Sequence, residues 1–154
     1  MAGHELPLLL LGGFRHLIDE MHRRLAEDGH PGLRPAIGFA VQAISRGATT
    51  ATALGQATGV SKQAASKTVD QLVALGYVFA EADSADARRK TLQLTAHGLD
   101  LVQRSGAVLE DLRQEWVDEV GATQVDRLEA TLRRLVGPGA ISPDVSGWLG
   151  ADPR

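Results

Sequence analysis

The chain contains no cysteine, which excludes disulfides, thiolate zinc sites and peroxide sensing through a reactive thiol. Aromatic residues are scarce, 4% against an apolar content of 44%. The core of a 154-residue domain must therefore come mainly from Leu, Val, Ile and Ala, which favours helices over a β-sandwich. Long hydrophobic runs are missing too. The most apolar N-terminal run, Leu6 to Leu11, is too short to span a bilayer and follows Glu5 rather than a basic leader, so no signal peptide or membrane segment is expected. A reducing cytoplasm fits this composition. Ser, His and Asp are present, but they form no G-x-S-x-G elbow, no H-E-x-x-H and no Walker loop. The glycines cluster at turns and not around a phosphate, so neither catalysis nor a cofactor is expected. There is no internal repeat.

What is present is a succession of helical patterns interrupted by one short β-pattern. The spacing of Phe14, Leu17, Ile18, Met21 and Leu25 predicts a helix over 6–27, with Pro7 in its first turn. Gly12-Gly13 inside it calls for either a close helix–helix contact or a local break. A second helix is expected over 35–45, carrying Ile37, Val41 and Ile44 on one face. Thr50 can cap a short third helix, 51–57. Gly59 then makes a turn, Val60 packs inward, and Ser61 caps a helix whose core positions are read as Val69, Leu72, Val73 and Leu75, with Gly76 as its stop. Tyr77–Ala80 and Thr91–Leu94 read as antiparallel strands around a charged loop, 83–90. Thr95 can cap a long helix to about Val120, with Leu99, Val102, Leu109, Leu112 and Trp116 on one side. Thr123-Gln124-Val125-Asp126 has the form of a capping box for a last helix bearing Val125, Leu128, Leu132 and Leu135. The Gly/Pro-rich tail 138–154 is expected to be loosely ordered unless Ile141, Trp148 and Leu149 dock it.

The net charge of -3 conceals an asymmetry. Between Ser45 and Thr95 six Lys/Arg face four Asp/Glu, so the middle is +2 and the flanks carry -5. The cations sit at the start of the helix after Gly59 and in the loop between the strands. A helix fits the major groove of DNA, and its leading end comes nearest the bases. Gln63 offers a donor and an acceptor that match the edge of adenine. Lys62 and Lys67 reach guanine or phosphate. Ser61 and Ser66 permit close approach and can donate to phosphate, while Ala64 and Ala65 keep the face slim. Arg88, Arg89 and Lys90 at a hairpin tip suit a narrow minor groove, whose negative potential attracts arginine. Asp86 would fix their aim by accepting from the arginine or the loop backbone. An ordinary amphipathic helix with a solvated face, and a solvated hairpin tip, are the bland readings of the same residues.

The ordered series Leu54, Gly59-Val60-Ser61-Lys62-Gln63-Ala64-Ala65-Ser66-Lys67-Thr68-Val69-Asp70, Leu72-Val73, Gly76-Tyr77-Val78, Asp86-Ala87-Arg88, Leu92-Gln93-Leu94-Thr95 and Gly98 resembles the winged helix-turn-helix of the MarR family of bacterial transcription regulators. It departs at Gly55, where the family usually has Ala, and at Thr58, where it usually has an apolar residue; both would weaken the supporting helix slightly. The resemblance implies a mostly α fold with a small β-hairpin wing. The winged helix-turn-helix would span about 33–95, flanked by dimerisation helices at about 6–27 and 96–136 in a single domain, 1–137. It implies a homodimer on a near-palindromic double-stranded DNA operator, acting as a repressor released by a small aromatic or anionic ligand. The DNA contacts would fall on Ser61, Lys62, Gln63, Ser66, Lys67 and Arg88. Candidate ligand-lining residues are Arg15, His16 and Phe39. Two alternatives stay open: a metal-responsive regulator, for which only His16 and Glu20 share a helical face without a third ligand at useful spacing, and a protein-interaction module of the same shape that binds no DNA.

Overall fold

The computed structural model describes residues 2–86 and 88–138. A short 3-10 turn, Ala2–His4, leads into α1 (Glu5–Glu27), followed by α2 (Pro35–Ser45), α3 (Ala51–Thr58), α4 (Lys62–Ala74), strands β1 (Val78–Ala82) and β2 (Lys90–Leu94), α5 (Ala96–Val120) and α6 (Ala122–Val136). The expected tail docking through Ile141, Trp148 and Leu149 lies outside the described residues.

The most apolar helix, α2, occupies the centre. Its Ile37, Ala40, Val41, Ala43 and Ile44 are buried, and it packs on α3, α4, α5 and β2. Leu54 of α3, Ala65, Val69 and Leu72 of α4, and Leu101 and Leu112 of α5 close around it. Thr50 caps α3, its hydroxyl accepting from the Ala53 N–H at 3.1 Å. β1 and β2 pair antiparallel from Val78↔Leu94 to Ala82↔Lys90. The hairpin is tied down where the Leu92 N–H donates to the Thr49 carbonyl at 2.7 Å.

Away from this centre, α1 and α5 run together as a long arm, with α6 packed on α5. Arg24 bridges the two long helices, donating to Glu20 on α1 and to Glu115 on α5 at 2.6 Å. The Arg23 and Arg24 guanidiniums hold the Glu20 carboxyl down at about 2, so Glu20 stays charged at neutral pH and loses its charge only as the pH falls toward that value. Arg113 clamps α6 onto α5, donating to Asp126 and to Glu129, each at 2.7 Å. α1 is unbroken at Gly12-Gly13: Gly13 faces the Trp116 ring at ordinary contact distance, and Gly12 faces open space.

Four sequence expectations need correction. Tyr77 is not a strand residue. Its N–H donates back to the Leu72 carbonyl and its side chain is buried, so pairing starts at Val78 and extends to Ala82 and Lys90. Val73 on α4 and Leu75 at its C-cap lie exposed, and α4 buries Ala65, Val69 and Leu72 instead. On α5 the buried stripe is Leu101, Val108 and Leu112, with Leu99 and Leu109 exposed. No capping box forms at Thr123: Gly121, at φ 94°, turns the chain in a single residue, and α6 has already begun at Ala122. Asp126 is taken by Arg113.

Of the described glycines, Gly98 has the least room for a side chain. A Cβ there would collide with the Tyr77 carbonyl oxygen, because the first turn of α5 lies directly against the root of β1. Gly98→Ala should therefore destabilise the fold by about 1–3 kcal/mol through overpacking, read as a lowered urea midpoint with an unchanged slope.

Candidate nucleic-acid interface

Ser61 starts α4 as its N-cap; its backbone is extended, and its Oγ accepts from the Ala64 N–H at 3.1 Å. Val60 packs against the core, as expected, and Gly59 turns the chain with φ 71°. The departure at Gly55 has a physical reason. A Cβ there would stand 2.9 Å from the Val60 carbonyl oxygen, so the turn packs directly on the backbone of α3. Thr58 is buried, and its hydroxyl donates to the Leu54 carbonyl at 2.7 Å.

Beyond the cap, Lys62, Gln63, Ala64 and Lys67 are exposed and Ser66 is half-buried. Ala65 is wholly buried in the core, so of the two alanines only Ala64 belongs to the outer face. Lys62, Ser66, Asp70 and Val73 recur along one side of α4 and face the hairpin. Between them and Arg88, Arg89 and Lys90 lies an open groove of about 860 Å³, floored by Thr52 and Gln56 of α3 and by its N-cap Thr50. Val73, read in the sequence as core, is a wall of this groove.

Two aspartates shape the hairpin tip. The Asp86 Oδ1 accepts from the Arg88 N–H at 3.0 Å, and the Asp86 carbonyl accepts from the Arg89 N–H at 2.9 Å. Asp86 therefore braces the loop backbone. The sequence reading missed Asp83, whose Oδ1 accepts from the Ala85 N–H at 2.9 Å and whose own N–H donates to the Arg89 carbonyl at 2.7 Å. Aspartate followed two residues later by a turn N–H is the local signal that could have found it.

Charge separates this face from the arm. Among the described residues none of Lys62, Lys67, Arg88, Arg89 and Lys90 forms an ion pair, whereas Arg23, Arg24, Arg104 and Arg113 all do. The groove thus presents uncompensated positive charge on two sides, with Asp70 as its one acid. Such a surface attracts a polyanion.

A model of the MarR family matches residues 40–89, the segment holding the turn, α4 and most of the hairpin. That stretch, about a third of the chain, carries the MarR-family pattern. The chain as a whole has the same fold as solved MarR-type regulators. It is similar to MarR of E. coli, at 22% identity and a TM-score of 0.66, covering 89% of this chain and 98% of that one. It is similar to the transcriptional regulator Tm0710 of Thermotoga maritima, at 21% identity and 0.63, covering 88% and 94%. It is also similar to S. aureus MepR in complex with DNA, at 15% identity and 0.62, covering 86% and 96%. No curated protein matches the chain.

The other expected residues are dispersed in this MarR-type fold. Arg15 and His16 are exposed on α1, with the His16 ring stacked 6.4 Å from that of Trp116. Phe39 is half-buried on α2, and neither it nor Arg15 or His16 lines the groove beside α4. The Glu20 carboxylate, half of the His16–Glu20 pair considered for a metal, is engaged by Arg23 and Arg24. Among the described residues no three His, Asp or Glu side chains gather as a metal site, and no helix is long and apolar enough to cross a membrane.

The cap offers a test of the local geometry. Ser61→Ala should cost about 1 kcal/mol of stability, and Ser61→Asp should retain most of it, both measured by urea unfolding.

Proposed function

We propose that the chain is a sequence-specific, double-stranded-DNA-binding transcriptional regulator that acts as a homodimer and represses by occupying promoter DNA. The observation that carries this reading is the groove between the capped end of α4 and the hairpin, lined by four cations, Lys62, Arg88, Arg89 and Lys90, without ion-pair partners among the described residues. With α4 in a major groove, Gln63 and Lys67 face base edges, Lys62 and Ser66 face phosphate, and Arg88, Arg89 and Lys90 reach the neighbouring minor groove. The strand between the two grooves of the duplex would run along the channel. The likeness to MepR solved on DNA supports the same reading.

The arm supports the homodimer. Leu6, Leu8, Leu9, Leu10 and Leu11 are exposed at the start of α1, and Val120, Leu128, Leu135 and Val136 at the far end of α5 and on α6. A hollow of about 730 Å³ beside them is lined by Trp116, Val120, Val125 and Leu128. Apolar surface on this scale marks an interaction site, and a second copy brings a matching surface by symmetry. Two recognition helices would then meet successive major grooves about 34–36 Å apart on a near-palindrome.

Three outcomes test the proposal. Gln63→Ala should relax base preference at one position of each half-site, at a cost of about 1–3 kcal/mol; a uniform loss on all sequences would make Gln63 a phosphate contact. Arg88→Ala should weaken binding and flatten its salt dependence, measured by anisotropy on a fluorescent duplex. Leu9→Glu, at a side chain 70% exposed in the single chain, should leave the circular dichroism unchanged while producing a monomer by sedimentation. A Leu9→Glu chain that remains dimeric would remove that face from the interface.

A further inference from the structure

His30 is fully buried at the junction of the arm and the winged helix. Its Nε2 lies 2.8 Å from Asp100 Oδ2 on α5, and its Nδ1 lies 3.0 Å from the Tyr77 hydroxyl at the root of β1. The His97 ring, exposed at the start of α5, stacks on both, 4.4 Å from the His30 centroid and 4.7 Å from that of Tyr77. Arg104 donates to the same Asp100 oxygen at 2.7 Å and approaches Asp28 at 3.5 Å. These are the titratable and charged groups that the described residues gather here. The hydrogen bonds from His30 and Arg104 hold the Asp100 carboxyl below the usual carboxylate range, and burial pushes the Tyr77 hydroxyl up. Asp100 is therefore an ionised acceptor and Tyr77 a protonated donor. That assigns the neutral imidazole its tautomer: Nε2–H donates to Asp100, and Nδ1 accepts from Tyr77.

We infer that the His30–Tyr77–His97 stack is an acid-sensitive joint, which sets the recognition helix and wing against the arm and weakens DNA binding when it takes up a proton. The inference rests on the DNA-binding function proposed above. Proton uptake at His30 turns Nδ1 from acceptor to donor, and the buried Tyr77 hydroxyl loses the acceptor for its own proton. Uptake at His97 lays a cation over the same rings. Two stacked imidazoliums repel, and the nearest carboxylate is already shared with Arg104. Tyr77 cannot shift alone: its N–H is bound to Leu72 of α4, and its carbonyl accepts from the Thr95 N–H between β2 and α5. A displaced Tyr77 therefore moves the end of α4 together with the root of the wing. The sign of the effect is diagnostic, because added positive charge by itself tightens binding to a polyanion.

The test measures the affinity of the full chain for a duplex selected by that chain from random-sequence DNA, at constant ionic strength. Affinity should fall by about tenfold or more between about pH 7.5 and pH 5.5. Tyr77→Phe, which keeps the ring and removes the stranded hydroxyl, should cut that loss to about threefold or less. His97→Gln, at an exposed position, should reduce it as well. Binding that is flat or tighter in acid, or a full loss retained in either variant, overturns the joint. Nitrogen-15 NMR of the histidine rings provides a reading independent of DNA: the Nε2–H tautomer at His30 near neutral pH is the expected result, and the Nδ1–H tautomer overturns the assignment. A chain that binds no duplex at any pH refutes the proposed function, while the tautomer still reports on the stack.

Discussion

Tyr77 is the residue on which the relative placement of α4, the hairpin and the arm depends. Its N–H closes the end of α4 on Leu72, and its carbonyl receives the Thr95 N–H. The Thr95 hydroxyl donates to the Gly76 carbonyl at 2.5 Å, while the Thr95 Oγ1 accepts from Gly98 as the cap of α5. Gly98 then lies so close to the Tyr77 carbonyl that no side chain fits. The recognition helix, the wing and the arm thus meet within a few residues. Under the proposed DNA-binding function, groups entering two grooves of one duplex need fixed relative positions, and a junction of short backbone bonds supplies them at lower entropic cost than long side-chain contacts.

The charge distribution follows the same division. An overall charge of -3 is compatible with binding a polyanion because charge is unevenly placed, several acids of the arm being paired within it. Glu20, Asp100, Glu115, Asp126 and Glu129 all neutralise arginines of α1 and α5. Exposed pairs of this kind add little stability each. Their consequence for the proposed function is that Arg23, Arg24, Arg104 and Arg113 are already neutralised, whereas the cations lining the groove beside α4 are not.

Local signals were legible in the sequence. Thr50, Ser61 and Thr95 cap the helices that were expected to follow them, because capping is decided within three residues of chain. Periodicity found the helices but not always the faces they bury. Val73 on α4 is apolar because it walls a groove. Leu128 and Leu135 on α6 and Leu99 and Leu109 on α5 are apolar yet exposed in the single chain. Spacing reports that a face avoids water, and it is silent on whether the covering surface comes from the same chain or from another. The hairpin was displaced by one to two residues for a related reason: Tyr77 has β-propensity, but a backbone bond to α4 and a buried hydroxyl outweigh it.

The histidines mark the limit of reading a chain in one dimension. His30 and His97 have no motif around them, and as isolated letters they read as exposed or hydrogen-bonded histidines. What distinguishes His30 is the arrival of Tyr77, 47 residues away, and Asp100, 70 residues away, at its two ring nitrogens. An imidazole with no exposed surface is costly unless both nitrogens are satisfied, and here each has a single partner on a different element. Replacing any one of the three strands a polar atom in the interior, so the set behaves as a unit. A leucine at position 30 would fill the space without specifying direction. The hydrogen-bonded ring fixes where β1 and α5 stand relative to each other, and through Tyr77 it fixes the aim of the wing.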